Sequence, residues 1–297
     1  MYKITKHFVI LLPKYTEGIM VCTEEIDRLI DIAFYEDFAE SGDVTTDAIF
    51  PNGLGDGTYM LKAKSDGVLC GRQIFERVFN KIDPSLKVSF SYSDSDVLSY
   101  GDIVAVVEGK ISSILKGERT ALNFISYLSG IATRTNDFVK AAAPVKILDT
   151  RKTLPGYRHL AKYAVTCGGA VNHRIGLHDM VMIKDNHSDG VGGITEAVKR
   201  VREKWGNKYK IEVETRNFAE IEEALQLNVD RIMLDNMDNQ TMLEAVKLIN
   251  KKTEIEASGN MTLERVKELA TSGIDYISVG ELTHTVKIFD FSLIKHK

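Results

Sequence analysis

The C-terminal half of the chain alternates between two hydrophobic patterns. Short apolar segments rich in β-branched residues are followed by longer segments in which apolar residues recur at helical spacing. The predicted strands are residues 145–148, 180–183, 211–213, 231–234, 254–257 and 276–279, and the predicted helices are residues 160–167, 194–205, 218–227, 241–249 and 263–270. Apolar strands joined by helices are typical of a parallel sheet, and six such units favour a closed or nearly closed β/α barrel. A doubly wound sheet is the alternative, although no G-x-G-x-x-G segment opens these helices.

The N-terminal half mixes strand-like alternation with helical spacing. It predicts helices over 23–34 and 74–82, and strands over 58–64, 87–92 and 103–107. Residues 112–142 are also predicted to be helical, with a break or bend near Ser129-Gly130. These patterns indicate an α+β domain over residues 23–130 and a barrel over 131–284, and residues 285–297 are a candidate for completing the first domain.

Composition and charge narrow the class of protein. With 297 residues, 44% hydrophobic and 27% charged, the chain is typical of a folded soluble protein of two domains. The net charge of −4 argues against nucleic-acid binding, so an anionic substrate needs a local basic cluster. No apolar run approaches the ~20 residues of a membrane span. Cys22, Cys70 and Cys167 lack disulfide or zinc spacing, so a cytoplasmic protein with free thiols is expected.

Residues 1–19 differ in sequence pattern from the residues that follow. Either Met20 is the true start, or residues 1–22 form an N-terminal extension of unknown role.

Polar residues follow each predicted strand of the barrel. Glu214, Asp235, Ser258 and Gly280 succeed one another at intervals of 21 to 23 residues, which is the length of one strand–helix unit. Because the carboxyl ends of barrel strands share one edge, we expect these residues to form a single site there. The earlier strand ends add Arg151, Lys152 and Lys184, with His173 and Arg174 between them.

These residue types suit a polyanionic substrate with Mg²⁺. Four cations and a histidine can bind anionic groups, and Glu214 and Asp235 offer the carboxylate oxygens that Mg²⁺ prefers. Ser258, Gly259 and Gly280 lie on the last units, where barrels commonly bind phosphate through backbone N–H groups. Each feature also has a structural alternative. Arg151-Lys152 could be a solvated loop, and Glu214 and Asp235 could be helix caps or ion-pair partners.

Several longer segments resemble the quinolinate phosphoribosyltransferases, the nicotinate-nucleotide pyrophosphorylases (carboxylating) of the type II phosphoribosyltransferase family. The matching segments are Asp149-Thr150-Arg151-Lys152-Thr153, Asn172-His173-Arg174, Ile183-Lys184-Asp185-Asn186-His187, Gly42-Asp43-Val44-Thr45-Thr46, Glu118-Arg119-Thr120-Ala121-Leu122-Asn123 and Leu234-Asp235-Asn236. The similarity covers residues 23 to 297. Leu154, Thr166 and Ala170 depart from the usual pattern, and Thr166 stands where an arginine is frequent.

The resemblance implies an N-terminal α/β sandwich, a C-terminal incomplete α/β (TIM-like) barrel, and a homodimer in which each first domain caps the partner's barrel. It implies conversion of quinolinate and phosphoribosyl pyrophosphate into nicotinate mononucleotide, pyrophosphate and CO2, with Mg²⁺, in NAD biosynthesis. Quinolinate would be bound by Arg119 of the partner, Arg151, His173, Arg174 and Lys184. The phosphoribosyl group would be bound by Lys152, Glu214, Asp235, Ser258, Gly259 and Gly280. Lys152, Lys184, Glu214 and Asp235 would be catalytic, and the two carboxylates would bind magnesium directly or indirectly.

Other functions compete with this one. Molybdenum-transport-associated relatives share the fold pattern but tend to lack the Lys-Asp-Asn-His segment. A nicotinate phosphoribosyltransferase would need fewer cations, and a Schiff-base aldolase using Lys184 would not explain Arg119, Arg151 and Arg174. A non-catalytic phosphometabolite-binding protein would not require both Glu214 and Asp235.

Overall fold

This computed structural model describes residues 23–51 and 55–296. The first domain is built on a four-stranded antiparallel sheet with the strand order β12-β1-β5-β3. Its strands are β1 (Asp56–Ala63), β3 (Lys87–Phe90), β5 (Ile103–Lys110) and β12 (Phe291–Lys295), and β2 (Gly67–Val68) pairs separately with β4 (Val97–Leu98). The C-terminal strand β12 therefore returns to the first sheet, where Leu293 lies opposite Leu61 of β1.

Helices pack beside this sheet. They are α1 (Thr23–Phe38), α2 (Val44–Ile49), α3 (Arg72–Ile82) and α4 (Ile111–Ala142). The apolar side of α3 is buried, as its helical spacing predicts. The short helix α2 was not predicted. It begins after Asp43, whose carboxylate accepts a hydrogen bond from the Thr46 N–H at 2.9 Å, and such a cap stabilises a helix too short to show a clear periodicity.

Of the break or bend predicted near Ser129-Gly130, the break is wrong, because α4 is one continuous helix, and the bend stays a prediction. Both residues are small because neighbouring backbone lies against the helix there. Ser129 Oγ accepts from the Cys70 N–H at 2.9 Å and donates to the Cys70 carbonyl at 3.1 Å. A Cβ on Gly130 would collide with the carbonyl oxygen of Lys287. Close packing, and not a helix end, therefore explains this pair.

The second domain is a six-stranded parallel sheet with the order β6-β11-β10-β9-β8-β7. The strands are β6 (Lys146–Leu148), β7 (Val181–Ile183), β8 (Ile211–Thr215), β9 (Arg231–Asp235), β10 (Glu254–Ser258) and β11 (Tyr276–Ser278). All six predicted strands are confirmed. No strand pairing joins β6 to β7 in the described residues; a single bridge from Leu148 to Val171 lies beside that gap. The α/β barrel is incomplete, as the resemblance implies.

Helices connect these strands. The predicted ones are confirmed as α5 (Arg158–Cys167), α7 (Ile194–Trp205), α8 (Phe218–Gln226), α9 (Asn239–Ile249) and α10 (Leu263–Leu269), and two short helices, α6 (Asp185–Val191) and α11 (Glu281–His284), were not predicted. None of the described helices is long and apolar enough to cross a membrane.

Side chains alternate along the barrel strands. Val213, Leu234 and Ala257 are fully buried. On the same strands, Glu212 and Glu214 flank Val213, and Glu256 precedes Ala257. Successive side chains of a strand point to opposite faces, so these glutamates share the barrel interior while the apolar residues pack toward the helices. Buried carboxylates need partners, and those partners shape the site.

Candidate active site

The polar strand ends lie along one edge of the parallel sheet. The strand register places Leu148 beside Ser278, Ser258 beside Asp235, and Ile183 beside Val213. The residues that follow these strands therefore emerge at the same rim. The regular spacing seen in the sequence corresponds to this alignment.

One part of the rim is a polar cavity of about 420 Å³. It brings together five predicted site residues, namely Lys152, Asp235, Ser258, Gly259 and Gly280. It is also lined by residues that were not predicted as site residues, including Thr150, Asn236, Asn260 and Thr262. Gly259 has a φ of +98°, and a Cβ there would collide with Asn236. Close backbone approach of this kind is typical of loops that bind phosphate.

Lys184 and Glu214 form an ion pair at the same rim. Lys184 Nζ lies 2.8 Å from Glu214 Oε2; the lysine side chain is 46% exposed and the glutamate side chain is 8% exposed. A lysine that follows an apolar strand is costly without a partner, and Glu214 of the neighbouring strand is that partner. The lysine side chain is still exposed enough beside this pair to meet an anionic ligand.

The charges of Arg151 and Arg174 act on each other. Burial lowers the pKa of Arg174, and the positive charge of Arg151 lowers it further. Arg174 Nη1 donates to the Met180 carbonyl at 3.1 Å. Arg151 Nε is buried and donates to no atom of the described residues. Two interacting like charges with an unused donor fit an anionic ligand.

His173 directly precedes Arg174 and is buried. Its Nδ1 accepts a hydrogen bond from the Arg174 N–H at 2.7 Å, while Nε2 lies 3.1 Å from Glu212 and 3.2 Å from Glu256. The N–H is not aligned for a directed hydrogen bond, so the attraction is mainly electrostatic. Burial lowers the pKa of His173, but the two carboxylates outweigh it and raise the pKa to about 9. Both ring nitrogens thus face protein groups, and direct contact with quinolinate stays a prediction.

A buried charge network surrounds His173. Burial and the neighbouring Glu256 raise the pKa of Glu212 to about 7, while His173 and Arg231 act in the opposite direction. Arg231 Nη1 lies 3.0 Å from Glu256. Sequence reasoning missed Arg231 and Glu256, although a glutamate inside an otherwise apolar strand was an available signal.

Arg119 does not line the cavity at the rim. Arg119 lies on α4 and lines a different cavity, of about 290 Å³, together with Asp37, Tyr127, Leu154 and Tyr157. Among the departures from the family pattern, Thr166 does not add to the rim. Its hydroxyl donates to the Tyr163 carbonyl of its own helix at 2.7 Å.

The fold also brings two distant cysteines together. Sulfur atoms of Cys70 and Cys167 lie with an Asp94 oxygen in a group of atoms within 4.8 Å of one another. Both thiols are free and buried. Distance along the sequence was therefore a poor guide to their proximity.

Comparison with known proteins assigns the family. The models described as "Quinolinate phosphoribosyl transferase, N-terminal domain" and "C-terminal domain" match residues 43–129 and 131–294. The chloroplastic nicotinate-nucleotide pyrophosphorylase [carboxylating] of Arabidopsis thaliana is 44% identical over 289 residues, covering 91% of this chain and 83% of that one. The mitochondrial quinolinate phosphoribosyltransferase [decarboxylating] 2a of Nicotiana tabacum is 43% identical, covering 91% and 82%.

Solved structures agree with the sequence relatives. NadC from Streptococcus pyogenes has a TM-score of 0.88 and 39% identity, covering 94% of this chain and 99% of that one. The nicotinate-nucleotide pyrophosphorylase from Francisella tularensis has a TM-score of 0.90 and 37% identity, covering 95% and 100%. With both domains matched and the basic rim in place, the chain belongs to the quinolinate phosphoribosyltransferase family.

Proposed function

We propose that the chain transfers the phosphoribosyl group of phosphoribosyl pyrophosphate to quinolinate, with release of pyrophosphate and CO2, to form nicotinate mononucleotide for NAD biosynthesis. The names of the relatives support this reaction. The observation that carries it is Arg151, whose buried Nε has no partner among the described residues, whose charge acts on Arg174, and whose chain neighbours Thr150 and Lys152 line the glycine-containing cavity.

Quinolinate has two carboxylates on neighbouring ring carbons. Guanidinium groups bind carboxylates in a planar, bidentate way, so Arg151 and Arg174 suit this dianion. Lys184 adds a third cation, and Glu214 holds its head at 2.8 Å. A substrate with one carboxylate, such as nicotinate, would leave part of this positive charge unbalanced.

The cavity beside these cations suits the phosphoribosyl donor. Lys152 would contact its phosphate oxygens, while Ser258, Gly259 and Gly280 would offer a hydroxyl and backbone N–H groups to the 5′-phosphate. Asp235 would accept hydrogen bonds from the ribose hydroxyls. This arrangement orients the anomeric carbon toward the ring nitrogen of quinolinate, which is the main catalytic task in such a transfer.

Glu214 and Asp235 are the carboxylates that would hold a magnesium ion. They belong to neighbouring strands, and Mg²⁺ is commonly bound by one or two carboxylates together with substrate phosphates. Asp235 faces the cavity, whereas Glu214 is already paired with Lys184, so Asp235 is the freer donor. When bound, Mg²⁺ would neutralise negative charge on the leaving pyrophosphate.

The chemistry requires no protein nucleophile. The pyridine nitrogen attacks the anomeric carbon as pyrophosphate leaves, through a transition state with positive charge on the sugar. When the carboxylate next to nitrogen leaves as CO2, its electron pair stays on that ring carbon, where the adjacent positive nitrogen stabilises it until a proton from solvent takes the place of the carboxylate. Arg151, Arg174 and Lys184 bind and orient the acceptor, and exclusion of water strengthens their attraction.

We also propose that two copies of the chain share each site. Arg119 lies in a separate cavity of its own subunit, and a partner would place it over the barrel rim. Mixing Arg119→Ala subunits with Lys184→Ala subunits should therefore restore activity, because one site of each heterodimer keeps both residues. Absence of recovery in verified heterodimers would contradict the shared site.

The location in the cell stays a prediction. We expect a cytoplasmic enzyme, but the plant relatives above are named chloroplastic and mitochondrial. Fluorescent tagging of the chain in its native cell would decide between these compartments.

The decisive assay supplies quinolinate, phosphoribosyl pyrophosphate and Mg²⁺, with nicotinate as the control acceptor. Formation of nicotinate mononucleotide together with CO2 is expected from quinolinate, and loss of activity on chelation should be reversed by Mg²⁺. Turnover of nicotinate without CO2, or no turnover of quinolinate, would refute the proposal.

A further inference from the structure

A buried ion pair joins the two loops that carry the rim arginines. Lys162 of α5 and Asp149 of the loop after β6 both have side chains that are 0% exposed, and Lys162 Nζ lies 2.6 Å from Asp149 Oδ1. Lys162 is surrounded along its helix by Leu160, Ala161 and Val165, which are buried as well. A lysine in such surroundings is rare unless a partner holds its charge.

Further hydrogen bonds connect this pair to the second loop. Asp149 Oδ1 accepts from the His173 N–H at 2.7 Å, and Lys162 Nζ donates to the His173 carbonyl at 3.1 Å. The Asn172 side-chain amide, oriented to satisfy both of its neighbours, donates to Asp149 Oδ2 at 2.7 Å and to the Lys162 carbonyl at 3.1 Å. Asp149, two residues before Arg151, and Lys162 thus clamp the segment immediately before Arg174.

Burial works against both charges of the pair. Burial raises the pKa of Asp149 to about 6, although the charge of Lys162 acts to lower it. Burial also lowers the pKa of Lys162, although the charge of Asp149 acts to raise it. Replacing such a pair with apolar residues is often neutral for stability. Apolar side chains could not make the directional hydrogen bonds by which this pair holds two loops. The pair therefore serves to fix the positions of those loops.

We infer that Lys162 is a positioning residue, which holds the Arg151 and Arg174 loops at the separation that two neighbouring carboxylates require; this inference rests on the proposed function. Two adjacent guanidinium groups repel each other, so loops free to move would let them separate. Bidentate binding to a rigid dianion loses strength with displacements of about 1 Å. Lys162 itself lies below the rim and need not touch the substrate.

The test compares Lys162→Met with a matched control on the same helix. We expect Lys162→Met to weaken quinolinate binding at least 30-fold by isothermal titration calorimetry, while binding of phosphoribosyl pyrophosphate with Mg²⁺ changes less than threefold. Steady-state kinetics should show a raised KM for quinolinate with a smaller change in KM for the donor. Leu160→Ala, which removes a buried side chain that faces a different cavity beside Ile26 and Ile74, should lower Tm but leave both affinities within threefold.

A second variant should give the reverse pattern. Thr283 Oγ1 donates to the Lys152 carbonyl at 2.8 Å, so it positions the loop on the side of the phosphoribosyl cavity. Thr283→Val should weaken donor binding and leave quinolinate binding within threefold. If Lys162→Met does not fold, the double variant Asp149→Asn with Lys162→Gln keeps polar groups without buried charge and should show the same loss for quinolinate.

Three outcomes would overturn the inference. They are unchanged quinolinate affinity in a folded Lys162 variant, equal losses for both substrates, or a crystal structure of the variant in which residues 149–152 and 172–174 have not moved. Failure of the wild-type protein to bind quinolinate would instead refute the proposed function, and the crystal structure would still test the positioning role.

Discussion

Arg231 balances two carboxylates inside the barrel, and Arg231→Met should strongly destabilise the protein. The arginine side chain is 14% exposed, and its Nη1 lies 3.0 Å from Glu256 and 4.0 Å from Glu212. Those glutamate side chains are 0% and 1% exposed. Removing one partner of a buried charge cluster typically costs about 3–5 kcal/mol, because the remaining charges stay buried.

The penalty should grow with pH. Arg231 lowers the pKa of Glu212, which nevertheless stands at about 7, so the variant raises it further. A carboxyl whose pKa is higher in the folded than in the unfolded protein contributes stability at low pH that is lost as pH rises through the folded value. Arg231→Met should therefore lower the free energy of unfolding by less at pH 5.5, where Glu212 is protonated, than at pH 8.

Urea denaturation at pH 5.5 and pH 8 measures this difference. The control is Arg200→Met on α7, the same substitution in an exposed pair, where Arg200 Nε lies 2.7 Å from Glu196 and the side chains are 59% and 38% exposed. Such surface pairs contribute about 0.5 kcal/mol or less. A loss under about 1 kcal/mol for Arg231→Met at pH 8, or a larger loss at pH 5.5, would refute the reasoning.

Three other predictions concern packing, pH and the rim. Gly130→Ala should lower stability by about 1–3 kcal/mol, since its Cβ would collide with the Lys287 carbonyl; calorimetry giving an unchanged Tm would contradict this. His159 Nδ1 donates a hydrogen bond to the Glu25 carboxylate, which raises the pKa of His159, so their pair stabilises the fold fully below about pH 6.5 and less as pH rises through the raised value. Urea denaturation from pH 6 to 9 should show that the free energy of unfolding falls less steeply with pH in His159→Gln than in the wild-type protein. An equal slope in both proteins would exclude the pair as the source of the decline. Arg174→Ala should lower kcat/KM for quinolinate, by an amount that corresponds to about 2–4 kcal/mol of lost transition-state stabilisation. A folded variant with wild-type kcat/KM would show that Arg174 is not part of the site.

Much of the second domain was predictable because its pattern is periodic. Helix α7 (Ile194–Trp205) has the predicted bounds, and the other barrel elements differ by one or two residues at their ends. Strands buried on both faces and helices buried on one differ in period, and that difference is visible along the chain. Helices α2 and α11 were missed because they span only 6 and 4 residues, too few to display a period. Helix α6 is as long as α10, but Val191 is its only apolar side chain, so it has no apolar period to detect.

Part of the candidate site was also predictable. In parallel strands joined by helices, the carboxyl ends share one edge, so the regular spacing from Glu214 to Gly280 already indicated a common site. The cavity at that edge contains Asp235, Ser258 and Gly280. Arg119 shows the limit of this reasoning, because it lies on α4 and lines a different cavity within its own chain.

By itself, the sequence determined which segments form strands and helices, which faces are apolar, and which chemical groups follow each strand. Only the tertiary structure decided which side chains become partners of one another. It paired Lys184 with Glu214, enclosed Lys162 with Asp149, and brought Cys70 against Cys167. The physical reason is that periodicity reports whether a side chain is buried, whereas the neighbour that satisfies a buried charge comes from another element and depends on the packing of the whole fold.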